Sequence, residues 1–200
     1  MRHPETPPLT EMERLRDMLV RADKTAVVLF DMQLELIPLL LEGTQLLHNT
    51  CWVAEVAREF DLPLLLTEHK KLGGLSLSLH EAAEGAPRLE KEHFDFLREE
   101  PVARHVADTD REQYVLAGAE THVVILQSAL SLLEQGKTVF VLADTVSARN
   151  QADHELGLDR LRQLGVHLIT REMFFFELIR NSENPRYLEL AKKYLDGRYI

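Results

Sequence analysis

Asp31 closes the apolar run Thr-Ala-Val-Val-Leu-Phe-Asp at positions 25–31. An aspartate in that place has two ordinary uses. It caps the following turn, or it stands at the carboxyl end of a buried strand, where the pockets of open α/β sheets form. A second polar turn, Gly118-Ala119-Glu120-Thr121-His122, follows the run Tyr-Val-Leu-Ala-Gly at 114–118. It opens a helical segment whose apolar face carries Val123, Val124, Leu126, Ala129 and Leu130. The chain has one sulfhydryl, Cys51. It falls on an apolar stripe with Leu47, Thr50, Ala54 and Ala57, where a free thiol behaves as a small hydrophobe, so it is read as a core residue away from the site. A lone cysteine also excludes an intrachain disulfide and a four-cysteine zinc centre.

These residues need elements to position them. Thr10 followed by Glu13 fits a capping box for a short helix through Val20, after a loose, Pro-rich stretch at 1–9. The first strand, 25–31, is followed by a helix over 44–60 and by a second buried strand in Leu-Pro-Leu-Leu-Leu-Thr, 62–67. Residues 68–87 read as a long loop with at most a helical turn, 88–91 as a short third strand, and 101–108 as a short helix. Then the alternation becomes regular. The strand at 114–118 leads to a helix stopped by Gly136, the strand at 138–144 to a helix over 152–164 stopped by Gly165, and the strand at 167–170 to helices near 171–180 and 185–195. Strands that are apolar throughout and alternate with helices imply right-handed crossovers and a sheet covered on both faces. The expected architecture is three-layer α/β, a six-stranded, mainly parallel sheet in the order 3-2-1-4-5-6, in one domain over 10–200. In that order strands one and four are neighbours at the point where the winding reverses, so Asp31 and the 118–122 turn share one crevice.

Two hundred residues suffice to bury a substantial core without metals or disulfides. The formal net charge of −10 speaks against a nucleic-acid surface and against a basic membrane-binding face. The amino terminus lacks the apolar core of a signal peptide and no apolar run approaches transmembrane length, so a cytoplasmic location is the expectation.

Several separated motifs, in consistent order over roughly residues 22–195, resemble the isochorismatase-like (cysteine hydrolase) family: LFDMQLELIP around Asp31, TEHKKLGG near His69, LEKEHFDF around Lys91, and the long run from AGAETHVVILQ to LRQLG. The resemblance implies a triad of an aspartate after strand one, a lysine after strand three and a cysteine at the start of the helix after strand four. Asp31 and Lys91 match the first two positions. The turn that precedes the cysteine is intact from Gly118 to Val123, but the next residue is Val124. A cysteine in the first turn of a helix has its thiolate favoured by free backbone N–H groups and the positive helix end. The aspartate would take its proton and the lysine would favour the anion. Valine has neither a lone pair nor a proton to give. The resemblance also implies a non-proline cis peptide bond between Ala119 and Glu120, so that Ala119, Glu120, Thr121 and His122 form a pocket turn of the oxyanion type.

The reading is a catalytically impaired member of the family whose pocket still binds a small molecule, with no cofactor. No metal is expected, since His69 and His80 lie eleven positions apart without a tight Asp/His cluster. The alternatives are a hydrolase of a small amide, ester or vinyl ether that uses water activated by Asp31, and a scaffold subunit for an active paralogue. Other nucleophiles are poorly placed: Ser128 lies one turn deeper, while Thr121 and His122 belong to the turn itself. The family assembles as dimers or larger rings, and the triplet Phe174-Phe175-Phe176 covers more than one helix face, so at least one ring is expected to contact another element or subunit, which suits a homo-oligomer interface.

Overall fold

The structure, a computed structural model, describes residues 18–195. The helix expected from Thr10 and Glu13, the loose stretch 1–9 and the last five residues of the chain fall outside those residues, apart from the end of that helix segment at 18–20.

Strands β1 (Thr25–Phe30), β2 (Leu64–His69), β3 (Arg88–Lys91), β4 (Gln113–Ala119), β5 (Thr138–Ser147) and β6 (His167–Ile169) form one sheet in the order β3-β2-β1-β4-β5-β6. Every pairing is parallel. Its helices are α1 (Gly43–Glu59), α2 (Leu77–Ala82), α3 (Glu100–Thr109), α4 (Leu126–Glu134), α5 (Gln151–Gln163), α6 (Arg171–Ile179) and α7 (Tyr187–Tyr194).

β1 and β4 are buried along their whole length, as strands covered on both faces must be. The pleat sends alternate residues to opposite layers. Val27 and Leu29 pack with α1, α6 and α7 in one apolar cluster, while Val28 and Phe30 pack with α3, α4 and Leu161 of α5 in the other. β1 lies at the centre of this arrangement, with Phe30 opposite Gly118 of β4, so Asp31 and Ala119 leave adjacent strand ends.

β5 runs past the expected end at Asp144 to Ser147. The register shifts between Leu116 and Gly118, which pair with Val141 and Val146, so the residues between the two β5 partners bulge out of the ladder. The bulge turns Asp144 toward α6, where its carboxylate accepts from the backbone N–H and the Nε of Arg171.

One expectation needs correction, and of the two contacts expected for the phenylalanine triplet, another element or another subunit, the first is observed. The buried face of α1 runs through Leu46, Thr50, Val53, Ala54 and Ala57, rotated from the stripe read in the sequence, and leaves Leu47 and Cys51 half-buried. Cys51 therefore sits at the rim of the core, beside a groove lined by His48, Glu55 and Ser78. The phenylalanine triplet turns inward. Phe174 and Phe175 are fully buried, Phe175 meets Phe60 and Phe176 edge-on, and Phe176 meets Tyr187, so these rings join α6 to α1 and α7 within the chain. No helix among the described residues is long and apolar enough to cross a membrane.

Candidate active site

Asp31 follows β1 with φ at 51°, the left-handed region that aspartate tolerates better than most residues, and this ends the strand. Its N–H donates to the Thr67 carbonyl of β2. Lys91 ends β3, two strands away, a span of about 10 Å between backbones. The long lysine side chain crosses it, and Nζ donates to Asp31 Oδ2 at 2.5 Å. The other carboxylate oxygen accepts from Thr67 Oγ1 at 2.9 Å. Thr67 was not singled out from the sequence, although it is the polar residue that closes the second apolar run, in the same way that Asp31 closes the first.

The pair is sealed. Asp31 is 1% exposed and Lys91 is 0% exposed. Burial pushes the Asp31 carboxyl above the usual carboxylate range; the ammonium of Lys91, the Thr67 hydroxyl and His69 pull against that shift. An unpaired charge at such depth is very costly, and here each partner is the main compensation for the other.

Gln33 holds the loops over the pair in place. Its amide nitrogen donates to the carbonyls of His69 and Gly73, and its oxygen accepts from the His69 N–H at 2.7 Å. Glu99 performs the same service after β3. Its carboxylate accepts from the backbone N–H groups of Glu92 and His93 and meets the His93 ring at 2.8 Å, contacts that lower its pKa to about 2.

The second half of the site follows β4. The Ala119–Glu120 peptide bond is cis, as the resemblance implied. A π-helical turn at Thr121–Ile125 then leads into α4, with the N–H groups of Val123, Val124 and Ile125 all directed to the Glu120 carbonyl. Thr121 Oγ1 donates to the Ser147 carbonyl and meets His154 Nδ1 at 2.9 Å. The Glu120 carboxylate is bound by Arg149 Nε at 2.8 Å. His122 Nδ1 is buried without a hydrogen-bond partner among the described residues, and its Nε2 lies 3.7 Å from Asp153. Gly157 of α5 lets that helix lie on this turn, since a Cβ there would stand 3.1 Å from Thr121 Cγ2. His154, Arg149 and Asp153 were not anticipated, because a polar stretch at the start of a helix looks like an ordinary solvated face.

Val124 is 4% exposed and packs in the apolar cluster that holds Phe30 and Phe96. Cys51 packs against the other cluster, so the sheet separates the two. Burial pushes the Cys51 thiol pKa up. Ser128 is buried and spent on structure, accepting from the Phe96 N–H and donating to the Phe94 carbonyl. Asp31, Lys91 and Thr67 are thus brought into contact. Val124 presents only hydrocarbon.

A family model described as the isochorismatase domain matches residues 25–173. Isochorismatase domain-containing protein 2 of Danio rerio is 32% identical over 170 residues, which cover 84% of this chain and 85% of that protein. YcaC from Pseudomonas aeruginosa, solved with hexane-2,5-diol and covalent acrylamide, superposes with a TM-score of 0.83 at 25% identity, covering 89% of this chain and 92% of that one. The Escherichia coli YcaC gene product, described as an octameric hydrolase of unknown specificity, gives 0.79 at 27% identity, covering 88% and 96%.

Proposed function

The chain belongs to the isochorismatase family, and we propose that it is a catalytically impaired member, carrying the family's hydrolase fold without a nucleophile. The observation that carries this reading is Val124, a hydrocarbon side chain where the resemblance places a cysteine. Acyl or alkyl transfer through a covalent intermediate requires an atom with a lone pair at that point. Among the described residues, neither Cys51 nor Ser128 replaces it. Cys51 lies on the far side of the sheet with its pKa raised, and Ser128 is engaged with the loop after β3.

The Asp31–Lys91 pair survives as an ion pair. An aspartate acting as base toward water needs a free oxygen and access, and this carboxylate has one oxygen on Lys91, the other on Thr67 and 1% exposure. That observation favours impairment over a hydrolase using Asp31-activated water. It also favours a second reading, a scaffold subunit that pairs with an active paralogue, and co-purification of a homologous chain of similar size is its signature. On the first reading the protein is a cytoplasmic homo-oligomer that retains small-molecule binding; the octameric state of the Escherichia coli neighbour supports the assembly.

The test is a stopped-flow screen of small amides, esters and vinyl ethers. The expected result is no burst of acyl-enzyme and at most ~10³–10⁴-fold over water, the residue left when a hydrolase loses its nucleophile but keeps binding and oxyanion contacts. A stoichiometric burst, or robust turnover abolished by Asp31→Asn, overturns the proposal.

A further inference from the structure

Away from the Asp31–Lys91 pair, a cavity of about 390 Å³ opens where the start of α1, the end of β5 and the start of α5 meet. Leu41, Leu46 and Val146 form its apolar wall, and Glu42, Gln45, Asn49, Gln151 and His154 supply most of its polar groups.

The hydrogen-bonding groups left on those walls favour acceptors over donors. Asn49 Nδ2 donates to the Asp144 carbonyl, Gln45 Nε2 to Asn49 Oδ1, and Gln151 Nε2 to Glu155 Oε1. Each of these bonds spends one of the two N–H groups of its amide, so three amide N–H groups remain. Thr121 has a single hydroxyl proton, and it goes to the Ser147 carbonyl. Its contact with His154 Nδ1 at 2.9 Å is then a bond donated by the ring. That fixes the tautomer and leaves the Nε2 lone pair free. Burial lowers the pKa of His154, which favours the neutral ring. Glu42, at the rim, has no side-chain partner among the described residues. The Asp144 carboxylate is already held by Arg171. Against the three remaining amide N–H groups stands a larger number of acceptor sites: Nε2 of His154, the Glu42 carboxylate, and the amide oxygens of Gln45 and Gln151.

We propose that this cavity binds a small organic primary ammonium with a short apolar tail. Its N–H groups reach His154 Nε2 and the Glu42 carboxylate, and its tail lies on Leu41, Leu46 and Val146. An ammonium has three donors and no acceptor, which matches the surplus on the walls. A neutral alcohol satisfies only part of it, and a carboxylate meets acceptors and a like charge. Through the Thr121–His154 contact the cavity is linked, at one remove, to the turn that carries Val124. The inference does not depend on the chain being catalytically impaired, since none of its ligating groups belongs to the Asp31–Lys91 pair.

The experiment is an NMR titration of the full chain with n-butylammonium chloride, with sodium butyrate and butan-1-ol as controls. Saturable shifts are expected for n-butylammonium alone, confined to amides near residues 41–49, 143–147 and 151–154. Glu42→Gln, an exposed substitution that leaves the melting temperature unchanged, weakens binding by about fivefold, as loss of a charge-assisted bond at a rim should. His154→Phe keeps the ring size, removes the acceptor and weakens it further. The proposal is overturned by linear, unsaturable shifts, by an equal or stronger response to butyrate, or by wild-type affinity in Glu42→Gln.

Discussion

At the scale of single residues, the buried contact between Lys91 and Asp31 makes each side chain the condition for burying the other. Lys91→Met leaves the carboxylate sealed and uncompensated, and the expected loss is about 3–5 kcal/mol in urea unfolding. Asp31→Leu combined with Lys91→Met should recover most of it, because a hydrocarbon pair of similar volume has no charge to desolvate. A single substitution costing less than about 1 kcal/mol would show that the two groups reach water after all. The pH dependence has a definite sign. Burial raises the Asp31 pKa in the folded chain, so ionising the carboxyl costs more there than in the unfolded chain. The stability tied to that proton is complete below the ordinary carboxylate pKa and is lost as pH rises through the raised value. Removing Lys91 removes the strongest opposing pull, so Lys91→Met should be relatively most stable in acid and fall further behind the wild type toward neutrality. Asp31, Lys91 and Val124 could all be named from the sequence, because each sits at the end of an apolar run or at a motif position. Thr67 and His154 could not, since their roles exist only once strands and helices distant in sequence are brought side by side.

At the scale of elements, the strand ends carry the site. Gly118 lies at φ 110°, and a Cβ there would stand 2.2 Å from the Phe30 carbonyl oxygen, so β1 and β4 approach closely only because this residue has no side chain. Gly118→Ala is expected to cost at least about 3 kcal/mol, read as a shift in the urea midpoint at constant slope; a near-neutral result would mean that the register at Phe30 is wrong. Glu99 fastens the loop after β3 by accepting two backbone N–H groups. Its depressed pKa means that this contribution is present above the ordinary glutamate value and is lost as pH falls toward about 2. Melting curves of Glu99→Gln and the wild type should therefore differ at pH 6 and converge near the acid limit, and a gap that persists unchanged in acid would contradict the assignment. β1, β2, β4 and β5 were legible because buried parallel strands read as apolar runs, whereas the short edge strand β3, Arg-Leu-Glu-Lys, carries no such run. The bulge that lengthens β5, the rotation of the α1 face that half-exposes Cys51, and the inward turn of Phe174 and Phe175 were not. Each is set by what packs opposite, and local periodicity carries no record of it.

At the scale of the whole molecule, the loops after β1, β2 and β3 leave Leu34, Leu39, Leu77 and Phe94 at 50–67% exposure around the covered Asp31–Lys91 pair. Apolar groups gathered at one end of a sheet suit contact with another copy. Sedimentation is expected to give a mass that is a multiple of 23.0 kDa, shifted toward one chain by Leu34→Glu with Leu77→Glu; a monomer at every concentration would argue against assembly. The family assignment rests on motifs spread over the chain, whereas the loss of function proposed here rests on one side chain in its midst. The most direct measurement restores the sulfur. In a chain carrying Cys51→Ser and Val124→Cys, the ultraviolet absorbance of the thiolate is followed against pH. The predicted result is ionisation well below the ordinary thiol value near 8.5, moved upward again by Lys91→Met. Ionisation at or above the value for Cys51 in the wild type would contradict the claim that position 124 is where the reactive thiol belongs.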